Sequence, residues 1–168
     1  MEIHVSKITE WKRADVATCI VVPQRTSAGA SPLIDKAIEP IVAAARDRGA
    51  FKGKAGESLY LPLGNTDPVG ILLIGIGDDA DVDREKIRRA AGKAISSLQN
   101  YRVTRLAIDC TALWPVTAFI EGIVLGQYRF DRYKSPDPEC FTGTIDDIVL
   151  AAEKTGALDG RKKRLADK

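Results

Sequence analysis

The residue types and spacing that could do chemistry gather in one stretch, Gly70 to Asn100, which reads GILLIGIGDDADVD and then REKIRRAAGKAISSLQN. Gly75-x-Gly77-x-x-Ala80 follows an apolar run, and in form it matches the glycine fingerprint that lets a backbone approach a dinucleotide pyrophosphate. Its surroundings argue against that chemistry. Asp78, Asp79, Asp81 and Asp83 crowd the turn, and carboxylates repel phosphates. The following helix is expected to begin near Asp83, too late for its N-terminus to face a pyrophosphate held at the glycines. The next acidic candidate for a ribose hydroxyl, Asp109, lies farther on than the usual spacing of about 20 residues. The simpler reading is a tight strand exit, with Asp83 capping the helix and Glu85 favouring its positive end.

The same aspartates do not make a calcium loop. Asp79, Asp81 and Asp83 fit the first three ligand positions, but Arg84 stands where glycine belongs and Ala90 where the bidentate glutamate belongs. Gly49 to Ala55 lacks the spacing and the magnesium-binding hydroxyl of a phosphate loop. His4 is the single histidine, with no nucleophile or carboxylate beside it in the pattern of a triad, and is expected on a strand facing solvent. Cys19, Cys110 and Cys140 are scattered without zinc-ligand spacing. Two of them sit in or beside apolar strand candidates, which suits buried, reduced thiols in a cytoplasmic protein. The basic run Arg161-Lys162-Lys163-Arg164 could touch phosphates, including those of DNA, but it sits beside Asp159 and Asp167 in a charged tail. No catalytic, cofactor-binding or metal residue is assigned.

The elements that would hold these residues alternate from end to end. Residues 2–8 alternate as a half-buried strand, and residues 16–22 form a more central one that Pro23 is expected to end. Ser31 and Pro32 predict the start of a helix that runs to a cap at Gly49, with Pro40 kinking or splitting it. Leu59, Leu61 and Leu63 alternate as a strand that Pro62 directs to an edge or a bulge. Ile71 to Ile74 predicts a strand buried on both faces. In the helix after it, Ile87, Ala90, Ala91, Ala94, Ile95 and Leu98 recur on one face. Leu106 to Ile108 is another strand. Residues 116–128 make a helix that is apolar almost all round, where Gly122 and Gly126 leave one side open to a close neighbour, expected to be the sheet. Residues 145–152 form the last strand.

At 168 residues, 45% hydrophobic and 29% charged, the chain has the composition of a globular protein with one core. A formal charge of +2 gives no support to nucleic acid as a partner. No apolar run reaches the ~20 residues of a membrane span, and no signal peptide opens the chain. The pattern predicts one α/β domain over residues 1–152, with helices on both faces of a mixed, mostly parallel sheet, and a charged tail or linker over 153–168.

Several stretches in order carry a family resemblance: Phe51-Lys-Gly-Lys-Ala-Gly-Glu57, Ile71-Leu-Leu-Ile-Gly-Ile-Gly77, Lys86-Ile-Arg-Arg-Ala-Ala-Gly92, Glu121-Gly122, and Tyr128-Arg-Phe-Asp-Arg-Tyr-Lys-Ser135. Over residues 16–152 the chain resembles the N-terminal domain of the leucyl (cytosol) aminopeptidases. The resemblance implies a three-layer α/β/α domain similar to the macro-domain fold, joined to a separate catalytic domain and serving in a hexamer or in regulation. It also implies that two zinc or manganese ions act in that other domain, whose signature segments are absent here. Asn65-Thr66-Asp67 shares only three letters with one of them and is read as a turn. A free-standing macro-like module that binds a nucleotide or ADP-ribose, and an adaptor that binds DNA, are the alternatives.

Overall fold

A computed structural model describes residues 2–7, 10, 18–25, 31–64, 68–78, 83–98, 101, 103–111, 115–128 and 145–152. In chain order the elements are β1 (Glu2–Lys7), β2 (Thr18–Arg25), α1 (Glu39–Asp47), β3 (Ser58–Pro62), β4 (Gly70–Gly77), α2 (Arg84–Leu98), β5 (Arg105–Asp109), α3 (Val116–Gln127) and β6 (Asp147–Ala152). The six strands form one sheet in the order β1-β6-β5-β2-β4-β3. Every pairing is parallel except that of β3 with β4. The sheet is therefore mixed and mostly parallel, as the alternating pattern predicts.

Strand alternation sends side chains to two separate cores. On one face Val21, Leu72, Ile74, Leu106, Ile108, Ile148 and Leu150 meet α2 and α3. On the other, Ile20, Val22, Ile71, Leu73, Ala107 and Val149 meet Val42 of α1, together with Leu33, Ile34 and Phe51. Because β2, β4 and β5 are covered on both sides, their sequences are continuous apolar runs rather than alternating ones. Three layers result.

Three sequence expectations change. Strand β2 does not end at Pro23 but continues to Arg25, with Pro23 in register with Ile74. Pairing with β5 reaches only to Val21. Beyond that point β2 pairs, among the described strands, with β4 alone, which is where a residue without an N–H fits. The first helix begins at Glu39 rather than after Ser31, and Pro40 sits in its first turn, where its missing donor breaks no bond. Residues 32–38 are turns instead: Ile34 N–H donates to the Ser31 carbonyl and Ile38 N–H to the Asp35 carbonyl. The C-terminus of α1 behaves as expected. Gly49 takes a positive φ of 71°, and Gly49 and Ala50 N–H donate back to Arg46 and Ala45 carbonyls.

The third change concerns the glycines of α3. They open towards α2, not towards the sheet. A Cβ on Gly122 would collide with the Arg88 carbonyl and come within 2.6 Å of the Ala91 Cβ; one on Gly126 would lie 3.1 Å from the Gly92 Cα. Small residues on both helices thus let two backbones touch over the sheet. Arg88 Nη2 donates to Glu121 Oε2 at 2.7 Å and Arg84 Nη2 to Glu121 Oε1 at 3.2 Å, tying the pair at its rim.

Candidate functional site

In parallel α/β sheets ligands are held beyond the carboxyl ends of the strands, above all where neighbouring connections leave for opposite faces. Here that place lies between β2, which leads to α1, and β5, which leads to α3.

The glycine-rich exit of β4 is already filled by the chain itself. The loop 53–57 lies against it: Gly75 N–H donates to the Glu57 carbonyl at 2.8 Å, Gly56 N–H to the Gly75 carbonyl at 3.2 Å, and Gly77 N–H to the Gly53 carbonyl at 3.0 Å. A side chain on Gly75 would run into the Lys54 carbonyl. The carboxylate of Glu57 shapes this loop by accepting from Lys52 N–H at 2.8 Å and Lys54 N–H at 3.2 Å, and Phe51 anchors it in the core. The N–H donors of Gly75 and Gly77 are therefore occupied, and these glycines serve backbone-to-backbone contact. Asp83 caps α2, its Oδ1 accepting from Lys86 N–H at 2.7 Å, as the sequence predicts.

At the end of β5, Asp109 is buried and closed on both oxygens. Ser31 Oγ donates to its Oδ2, and Thr111 N–H donates to its Oδ1 at 2.8 Å. Ser31 is thus a bridge across the β2/β5 crevice, with its hydroxyl also accepting from Leu33 N–H at 3.3 Å. Sequence reasoning weighed Asp109 only as a ribose ligand; the available signal was a carboxylate closing an otherwise apolar strand.

At the end of β2, Gln24 is buried and accepts from Arg46 Nη2 of α1. Beside it opens a cleft of about 250 Å³ lined by Gln24, Ile34, Glu39, Val42, Ala43, Arg46 and Asp47. Neither Gln24 nor Arg46 stands out in the sequence, because their pairing depends on α1 folding back over β2.

At the opposite end of the sheet, Arg105 is buried, with Nε donating to Asp147 Oδ2 at 2.8 Å and Nη1 to Thr18 Oγ1 at 3.3 Å. His4 stands on edge strand β1, its Nε2 3.2 Å from Glu2 Oε2 and 3.7 Å from Asp147 Oδ1. It faces no nucleophile in the described hydrogen bonds. Cys19 and Cys110 are buried free thiols, and burial pushes both up to about 12. They are held neutral and unreactive at ordinary pH. Among the described residues no group of three or more His, Cys, Asp or Glu could hold a metal ion. Asp79, Ala80, Asp81, Cys140, the turn at 65–67, the segment 129–135 and the run 161–164 lie outside the described residues.

Residues 20–137 match the sequence profile of the cytosol aminopeptidase family, N-terminal domain. The chain belongs to that family. Among curated relatives, a "probable cytosol aminopeptidase" of Syntrophotalea carbinolica is 31% identical over 135 residues, covering 76% of this chain and 27% of the relative. One from Pseudomonas syringae pv. tomato is 28% identical over 170 residues, covering 95% and 34%. The chain thus spans about a third or less of the relatives it matches. Among solved structures, a tomato leucine aminopeptidase variant superposes with a TM-score of 0.72 at 17% identity, over 99% of this chain and 35% of the other. The bottromycin maturation enzyme BotP, in a structure described as a complex with Mn, gives 0.55 at 21% identity, over 87% and 28%. These likenesses establish a shared fold with the N-terminal domain of the family. No helix among the described residues is long and apolar enough to cross a membrane.

Proposed function

We propose that this chain acts as the non-catalytic N-terminal domain of a leucyl aminopeptidase, serving assembly or regulation of an enzyme that releases N-terminal residues from peptides. The observation that carries the reading is the match of residues 20–137 to the N-terminal domain alone, in relatives roughly three times as long. The described edge of the sheet supports it: the glycine exit is plugged by loop 53–57 and the Asp109 carboxylate is closed by Ser31 and Thr111.

In this reading the partner is the catalytic domain, with two zinc or manganese ions belonging there, in a cytoplasmic homo-hexamer. The same reading assigns residues 1–152 to the N-terminal domain and 153–168 to a charged tail or the start of the interdomain linker. The test is direct. The purified chain is expected to give no turnover of leucine-p-nitroanilide with zinc or with manganese, and to bind the separately produced catalytic domain. Turnover by the chain alone overturns the reading.

A further inference from the structure

The cleft at the end of β2 has a feature that the Gly75 exit and Asp109 lack. Gln24 is 2% exposed, and a buried amide requires partners for both its oxygen and its nitrogen. Arg46 is a donor only, so its bond to Gln24 Oε1 fixes which way the amide faces. The Nε2 group then has no partner among the described residues. It is not sealed away either: the sole buried side-chain atom without a partner in the described residues is Asp147 Oδ1. Gln24 lines the cleft, so its N–H donors open into it. This differs from Asp109 and Gly75, whose polar groups are consumed by the chain.

We propose that this cleft binds a free aliphatic α-amino acid, with its carboxylate on the Gln24 amide near the Arg46 guanidinium. Three lining groups define that chemistry. The Gln24 amide supplies donors for a carboxylate, and the Arg46 guanidinium places positive charge beside them. Glu39 and Asp47 place two carboxylates on the same lining, which suits an ammonium and opposes a phosphate dianion. Ile34, Val42 and Ala43 give an apolar wall for an aliphatic side chain. About 250 Å³ has room for one small amino acid and lies just below the usual size of ligand cavities. The inference is independent of the peptidase reading, since it rests on α1 and β2 alone.

The experiment titrates the intact chain with L-leucine, leucinamide, acetate and inorganic phosphate, following backbone amide shifts by NMR. Leucine is expected to saturate, with Kd on the order of 1 mM for so few polar contacts, moving residues 24, 34, 42, 43 and 46 together. Leucinamide and acetate, each lacking one charge, are expected to bind at least about tenfold more weakly. Gln24→Glu keeps an acceptor for Arg46, and so keeps the α1–β2 contact, but sets a carboxylate against the ligand's own; a loss of about tenfold or more is expected. The proposal is overturned if leucine gives no saturable shift, if phosphate binds more tightly than leucine, or if Gln24→Glu binds as well as the native chain. A folded spectrum of Gln24→Glu secures the last comparison. If that variant fails to fold, Glu39→Gln with Asp47→Asn decides, since unchanged leucine binding there equally overturns it.

Discussion

Gly75 shows how one residue can look chemical and be structural. Glycine at a strand exit satisfies two different demands: close approach of a phosphate, or close approach of another backbone. Here it is the second, because Lys54 and Gly53 occupy the space a side chain would take. Gly75→Ala should therefore cost about 2 kcal/mol or more through overpacking, read as a lower urea midpoint. An equal midpoint would mean that loop 53–57 does not lie where the structure puts it. The sequence alone could not choose between the demands, since the plug comes from a segment about 20 residues earlier. Asp83 was legible because its capping bond is local, three residues long. The Gln24–Arg46 and Ser31–Asp109 bonds were not, because each joins partners distant in sequence.

At the scale of elements, α2 and α3 behave as one unit. Their contact depends on Gly122 lying against the Arg88 carbonyl, while Gly92 across the same seam has open space where a Cβ would be. Two conservative-looking changes should then act with opposite sign. Gly122→Ala is expected to destabilise by about 1–3 kcal/mol by forcing the helices apart. Gly92→Ala should stabilise by about 0.5–1 kcal/mol, because alanine loses less backbone entropy in a helix. Urea unfolding of both variants checks this, and destabilisation by Gly92→Ala would contradict the packing. The period of the apolar residues gave the buried face of α2 correctly, since burial depends on pattern alone. The partner of α3 was misjudged for a physical reason: a small-residue stripe announces a close neighbour without saying which. Prolines misled in the same way. Pro23 and Pro40 signal a missing donor, and whether that ends an element depends on whether a ladder needed it.

For the molecule as a whole, three buried or half-buried acids share one direction. Burial pushes the Cys19 and Cys110 thiols from 9.0 up to about 12, and Tyr60 from 10.0 to about 12, the last also raised by Cys19 and Tyr101. Each is held protonated in the fold more firmly than in the open chain. Stability from this source is fully present below about pH 9 and is lost as pH rises towards 12. Thermal melts should accordingly hold from pH 7 to 8.5 and fall steeply above it. Cys19→Ala with Cys110→Ala should flatten that fall while lowering the melt at neutral pH. A native chain equally stable at pH 8 and 10.5 would contradict the burial of the thiols.

The plug at β4 also bears on descent. Because the loop at 53–57 and the glycines at 75 and 77 fill one another's space, neither can drift alone. A larger residue at position 75 is expected to survive only in lineages whose loop has shortened or turned aside. The two short segments should be inherited as a matched pair, even where the helices around them have diverged.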